Sequence, residues 1–192
     1  MKMIYLASRS PRRQELLRQI GMQFELVHAE VDETPIDNED PEQYVLRMAI
    51  EKALNAFRTD MSNPLLAADT SVICEGTILG KPENEKDFLA MFERLSDNAH
   101  QVMTAIAVTN NKDVAAIKTR VSVSEVIFRK ITRNEALRYW QTGEPADKAG
   151  GYGIQGSGAV FIKQISGSYS GIMGLPLFET AQLLEEFNVF SL

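Results

Sequence analysis

Short apolar runs alternate with stretches at helical spacing along the whole chain, and most of the helical stretches open on a recognisable cap. Met3-Ile4-Tyr5-Leu6-Ala7 reads as a buried strand. Ser10 then caps a helix that takes Pro11 at its first position and runs to Ile20, where Gly21 stops it. Residues 24–28 alternate as a second strand, and Asp40-Pro41 opens a second helix through Tyr44, Val45, Met48, Ala49 and Ala53. Residues 64–68 are apolar without alternation, the mark of a central strand, and run straight into Asp69-Thr70-Ser71. Residues 72–74 and 77–79 flank Glu75-Gly76, a hairpin signal. Asn84 caps a helix carrying Phe88, Leu89, Met91, Phe92 and Leu95. Two long alternating strands, 101–108 and 114–128, are joined by Asn110-Asn111-Lys112-Asp113. Thr132 and Glu135 match a capping box for a helix ending at Gly143. Residues 159–165 read as a strand, and 177–187 as a closing amphipathic helix after Pro176. The mixture predicts an α/β (α+β) domain with a long, curved, partly antiparallel sheet.

Composition narrows the class. A chain of 192 residues suits one sizeable core, with 44% hydrophobic and 24% charged residues as in ordinary globular proteins. The formal charge of -6 opposes a protein that coats nucleic acid, and suits a local basic pocket for a small anion. Cys74 is the only cysteine, so no disulfide forms within the chain and a reducing, cytoplasmic location is expected. Cys74 itself reads as a small buried hydrophobe. No run approaches the length of a membrane span, and the start lacks the pattern of a signal peptide.

Three places carry candidate chemistry. The first is Ser8-Arg9-Ser10-Pro11-Arg12-Arg13, where two arginines and two serines sit at a helix start. Unpaired N–H groups, a positive dipole end and guanidinium forks suit a phosphate chain, although a solvated turn paired with surface acids has the same composition. The second is Asp69 at the exit of an apolar strand, where α/β sheets place ligands. It is a candidate base, with a turn-capping role as the alternative. Lys52 and Lys81 are cations that could converge on it, Lys81 stiffened between Gly80 and Pro82. The acids Glu30, Asp32, Glu33 and Asp69 offer hard oxygen donors for Mg²⁺ or Mn²⁺, and a cation that also binds phosphates needs only one or two carboxylates. The third is the segment 143–158, crowded with glycines and interleaved with Asp147, Lys148, Tyr152 and Gln155. So much glycine lets backbone approach a ligand closely. His28 and His100 lack companions at zinc spacing, and neither a phosphate-loop nor a dinucleotide fingerprint is present.

Taken together, these segments resemble the Maf family of nucleoside triphosphate pyrophosphatases, once named for inhibiting septum formation. The matching pieces are Leu6-Ala7-Ser8-Arg9-Ser10-Pro11-Arg12-Arg13, Glu51-Lys52-Ala53, Ala68-Asp69-Thr70, Gly80-Lys81-Pro82, His100-Gln101-Val102-Met103-Thr104 and the long segment from Gly143 to Gly156. They follow family order over nearly the whole chain. The form Asp147-Lys148-Ala149-Gly150-Gly151-Tyr152-Gly153-Ile154-Gln155-Gly156 looks like the branch acting on dTTP and UTP; the sister branch, acting on 7-methyl-GTP, differs there. The resemblance implies one domain over residues 1–192, similar to the inosine triphosphate pyrophosphatases, with two lobes about a long mixed sheet and a central cleft. It implies Asp69 as proton acceptor for the attacking water, with Ser8, Arg12, Arg13, Lys52 and Lys81 holding the triphosphate. Glu33 would help with metal or water, Asp69 and Glu33 would be metal ligands, and Arg12, Thr70 and Gln155 would select the substrate. A divalent cation, a homodimer and no nucleic-acid or membrane partner complete the expectation. Arg9 and Ser71 depart from the family pattern, which bears on affinity more than on reaction type.

The chemistry agrees with these residue types. Hydrolysis between the α- and β-phosphates needs water aimed in line and phosphate charge neutralised, with little covalent help. The rival from another class is a nucleotide-binding regulator of cell division that does not turn its ligand over; only the enzyme requires Asp69.

Overall fold

The computed structural model of the chain describes residues 3–111 and 113–191, so Lys112 of the expected 110–113 connection lies outside the described residues. Strand β1 (Met3–Ala7) leads into helix α1 (Pro11–Gln19), and β2 (Gln23–Leu26) returns parallel to β1. Helix α2 (Pro41–Ala56) then delivers the chain to β3 (Leu65–Cys74), which lies on the other side of β1 and also parallel to it. A tight turn at Glu75-Gly76, both at positive φ, folds β4 (Thr77–Leu79) antiparallel onto the end of β3. Helix α3 (Glu85–Leu95), strands β5 (Ala99–Thr109) and β6 (Lys118–Phe128), and helix α4 (Arg133–Trp140) follow. After the glycine-rich segment come β7 (Ile162–Ser166), antiparallel to β6, and the helices α5 (Tyr169–Met173) and α6 (Leu177–Glu186). The described strands make one mixed sheet in the order β2-β1-β3-β5-β6-β7, with β4 paired to β3.

The caps act where the sequence puts them. Ser10, Asp40, Asn84 and Thr132 each accept a backbone N–H of the first turn they precede, and Thr132 with Glu135 closes a reciprocal capping box. Packing around them divides the chain into two compact units, one from Met1–Asp69, Thr104–Ser122 and Gly174–Leu192, the other from Thr70–Met103 and Val123–Met173. In the first, Ile4, Leu6, Leu16, Leu17, Val45, Met48, Leu65 and Leu66 are almost wholly buried. In the second, Phe88, Phe92, Phe128, Tyr139, Tyr152 and Phe161 form an aromatic core with Cys74, Leu95 and Val126.

Four local expectations are corrected. The second strand stops at Leu26 rather than at His28. Residues Val114–Ala116 form a 3₁₀ turn capped by Asp113, so β6 starts only at Lys118. Ser157–Phe161 is likewise a 3₁₀ turn, which delays β7 to Ile162. Most consequentially, Asp69 does not mark a strand exit: it is the middle of a continuous ten-residue strand that is buried at every position but Thr70.

Candidate functional site

A carboxylate inside a buried strand is costly unless a cation meets it. Asp69 is met by Lys52 from α2, whose ammonium lies 2.6 Å from Asp69 Oδ1. The same ammonium lies 2.6 Å from Glu33 Oε1, so one cation ties a strand carboxylate to the acidic loop before α2. Side-chain exposure is 15% for Lys52 and 12% for Asp69, against 51% for Glu33, so the triad runs from interior to solvent. Two residues that the sequence does not single out hold Glu33 in reach. Tyr44 Oη donates to the Glu33 carbonyl at 2.8 Å. Arg47 forks onto Glu39 at 2.6 and 2.7 Å and reaches the Thr34 carbonyl at 3.2 Å, bracing the loop against α2. That fork holds the Glu39 carboxyl down to about 2, with burial acting the other way. Burial, then the charges of Asp69 and Glu33, push the Tyr44 phenol up to about 12. Helical spacing marks Tyr44 as a core position only, and nothing in the sequence separates Arg47 from a solvated arginine.

At the start of α1, Ser8 Oγ accepts from Ser10 N at 3.2 Å and from Arg13 Nη1 at 3.2 Å, while Arg13 Nε donates to the Gly174 carbonyl at 2.7 Å. Burial lowers the Arg13 pKa from its ordinary value, and the negative charge of Asp69 opposes that fall. Arg12 is half-buried and makes no hydrogen bond or ion pair among the described residues. The first unit therefore holds two sets of contacts, Ser8 with Arg13 and Lys52 with Glu33 and Asp69, and the two carboxylates act on the Arg13 guanidinium through their charge. Thr70, Lys81 and Gln155 belong to the second unit. Thr70 follows Asp69 on β3, half-exposed; Lys81 and Gln155 are exposed. The turn that carries Lys81 is tied to the glycine-rich segment, since Gly150 N donates to the Gly80 carbonyl at 2.9 Å.

Among the described residues no three His, Cys, Asp or Glu gather as a ready metal cluster. By chemistry alone Asp69 and Glu33 are hard oxygen donors of the kind a divalent cation shared with phosphates takes; in this structure the oxygens that converge do so on the Lys52 ammonium. No helix of the described residues is long and apolar enough to cross a membrane.

A mixed sheet flanked by helices defines an α/β fold, and it is similar to the fold of the HAM1 protein of Coxiella burnetii. The two superpose with a TM-score of 0.53 over 97% of this chain and 100% of that one, at 19% identity, a likeness of fold alone. The chain belongs to the Maf-like protein family, which it matches over residues 3–187. Similar relatives named dTTP/UTP pyrophosphatase occur in Alkalilimnicola ehrlichii, 48% identical over 192 residues, covering 97% of this chain and 93% of the relative. Another is found in Saccharophagus degradans, 50% identical over 190 residues, with 97% and 89% covered. A third, from Aromatoleum aromaticum, is 51% identical over 199 residues, with 96% and 95% covered.

Proposed function

We propose that this chain hydrolyses dTTP and UTP between the α- and β-phosphates, giving the nucleoside monophosphate and pyrophosphate. Its family and its near-full-length relatives make it a nucleoside triphosphate pyrophosphatase. The observation that supports a water-activating role is the Glu33–Lys52–Asp69 group, in which a strand carboxylate is held by an ammonium and its charge acts on the buried Arg13; the preference for dTTP and UTP is supported by the names of the relatives.

In this reading Lys52 holds Asp69 Oδ1 and so fixes the rotation of the carboxylate. Asp69 takes a proton from a water molecule as its oxygen attacks the α-phosphorus. The bond from that phosphorus to the bridging oxygen breaks, and pyrophosphate leaves with the electron pair. Ser8, Arg12 and Arg13 at the start of α1 receive phosphate oxygens, where guanidinium forks match them in pairs. Lys81 adds positive charge, and Thr70 and Gln155, with Arg12, select the base; these roles are the ones that the resemblance of the surrounding motifs implies. Asp69 and Glu33 would hold Mg²⁺ or Mn²⁺ together with phosphate oxygens. When bound, such a cation supplies further charge neutralisation. A well-placed base contributes roughly 10²–10⁴-fold to the rate, and electrostatic stabilisation by the cations more. The protein acts as a cytoplasmic homodimer.

The test is a substrate panel. The protein is incubated with Mg²⁺ or Mn²⁺ and each of dTTP, UTP, CTP, GTP and 7-methyl-GTP, and products are separated by ion exchange. Monophosphate plus pyrophosphate from dTTP and UTP first is the expected result. Orthophosphate release, or binding with no turnover of any nucleotide, would replace the proposal, the latter with a nucleotide-sensing regulator.

A further inference from the structure

The glycines of segment 143–158 predict a backbone that approaches a ligand; the structure shows the backbone closing on the protein's own Glu144. Its carboxylate accepts from Tyr139 Oη at 2.8 Å, from Ser157 N at 2.8 Å and from Gly158 N at 3.2 Å. The Tyr139 oxygen in turn accepts from Gly153 N at 3.3 Å. Lys148 secures the base of the clasp by donating to the Glu144 carbonyl at 2.7 Å and to Asp147 at 2.7 Å. Burial acts to raise the Glu144 pKa, yet the donors from Tyr139, Gly158 and Ser157 hold it below its ordinary value. The glycines are placed accordingly. A Cβ at Gly156 would overlap the Glu144 carboxyl group, and one at Gly158 would stand 2.6 Å from Tyr139 Oη. The N–H groups of Ser157 and Gly158 are thus spent inside the protein, not on a bound phosphate. Between the two anchored ends, at Gly153 and Ser157, Gln155 stands exposed, with no hydrogen bond among the described residues.

We infer that Glu144 is a specificity-determining positioning residue: its carboxylate clasps the 153–158 loop and thereby aims Gln155 at the nucleobase. The inference rests on the reading above in which Gln155 selects the base. An amide reads a pyrimidine edge only while its two polar ends are held in register with that edge. A loop free to drift by about 1 Å forfeits roughly 10²-fold of that match. Loss of the clasp therefore lowers discrimination among bases, while the contacts of Lys52 with Asp69 and Glu33 involve none of the clasp residues.

The experiment compares wild type with Glu144→Gln, Glu144→Ala and Tyr139→Phe, measuring kcat and KM for UTP and CTP with Mg²⁺. Amide hydrogen exchange at Ser157 and Gly158 is followed in the same proteins. The expected result is faster exchange at both amides with a fall of at least about 10-fold in the UTP-to-CTP ratio of kcat/KM. This fall comes mainly through KM for UTP, and Glu144→Gln lies between wild type and Glu144→Ala. Faster exchange with an unchanged ratio overturns the inference while the proposed activity stands. If wild type turns over neither nucleotide, both fall together. Should Glu144→Ala fail to fold, Tyr139→Phe, which removes one donor from the carboxylate, decides by the same two readouts.

Discussion

Acidification should remove about 3 kcal/mol of folding stability through one buried imidazole, as the His100 shift converts at about 1.4 kcal/mol per pH unit. His100 is 3% exposed and stands edge-on to Phe128 and Tyr152, with ring centroids 4.9 and 5.4 Å away. Its Nε2 lies 2.7 Å from Tyr152 Oη, and Nδ1 has no hydrogen-bond partner among the described residues. A neutral ring can leave Nδ1 as a bare lone pair, whereas the protonated ring turns a second N–H toward no acceptor. Burial accordingly pushes His100 from 6.5 down to about 4. The unfolded chain binds the proton near pH 6.5, and the folded chain resists it until near pH 4. Stability is therefore complete above the upper value and declines as pH falls between the two. The assay is urea unfolding followed by Trp140 fluorescence from about pH 7.5 to about pH 4.5, a range that spans most of the decline. Wild type is compared with the double variant His100→Leu with Tyr152→Phe, which removes the imidazole without stranding the buried phenol. Over that range wild type should lose about 2 kcal/mol or more in excess of the double variant's loss, since every other group that titrates between those pH values is common to both. Parallel pH dependences in the two proteins would refute the reasoning.

Lys52→Met should destabilise the protein by about 3–5 kcal/mol, because it strands Asp69 in a buried strand; adding Asp69→Leu should restore most of the loss in chemical denaturation. Gly156→Ala should cost about 1–3 kcal/mol by forcing a methyl group against the Glu144 carboxyl group, read as a lowered melting temperature. Cys74 is fully buried and burial pushes its thiol pKa up, so a thiol reagent should leave it unmodified in the native protein and label it on unfolding.

Local chemistry is legible in the sequence wherever a residue acts on its near neighbours. The caps at Ser10, Asp40, Asn84 and Thr132, and the turn at Glu75-Gly76, depend on contacts a few residues apart, and the sequence displays them directly. The place of Asp69 inside a strand is hidden, because Asp-Thr-Ser has the composition of a turn. What keeps the strand going is Lys52, 17 residues earlier, which neutralises the carboxylate; local propensity cannot report that. The glycine-rich segment misleads for a related reason. Glycine signals that something lies close to the backbone, and it does not say whether that is a ligand or the protein's own Glu144. The His100–Tyr152 pair spans 52 residues and leaves no sequence signal beyond two polar aromatics in apolar surroundings. Tyr44 and Arg47 brace the Glu33 loop from positions that helical spacing assigns to core and to solvent.

Asp69→Asn tests most directly whether Asp69 is the base for water attack on a bound nucleoside triphosphate. Asparagine keeps an oxygen for Lys52, and Glu33 remains paired to the same ammonium, so the variant should stay folded. UTP binding and turnover are measured on the same preparations with Mg²⁺. The prediction is affinity within a few-fold of wild type and turnover reduced by roughly 10²–10⁴-fold; turnover equal to wild type would contradict it.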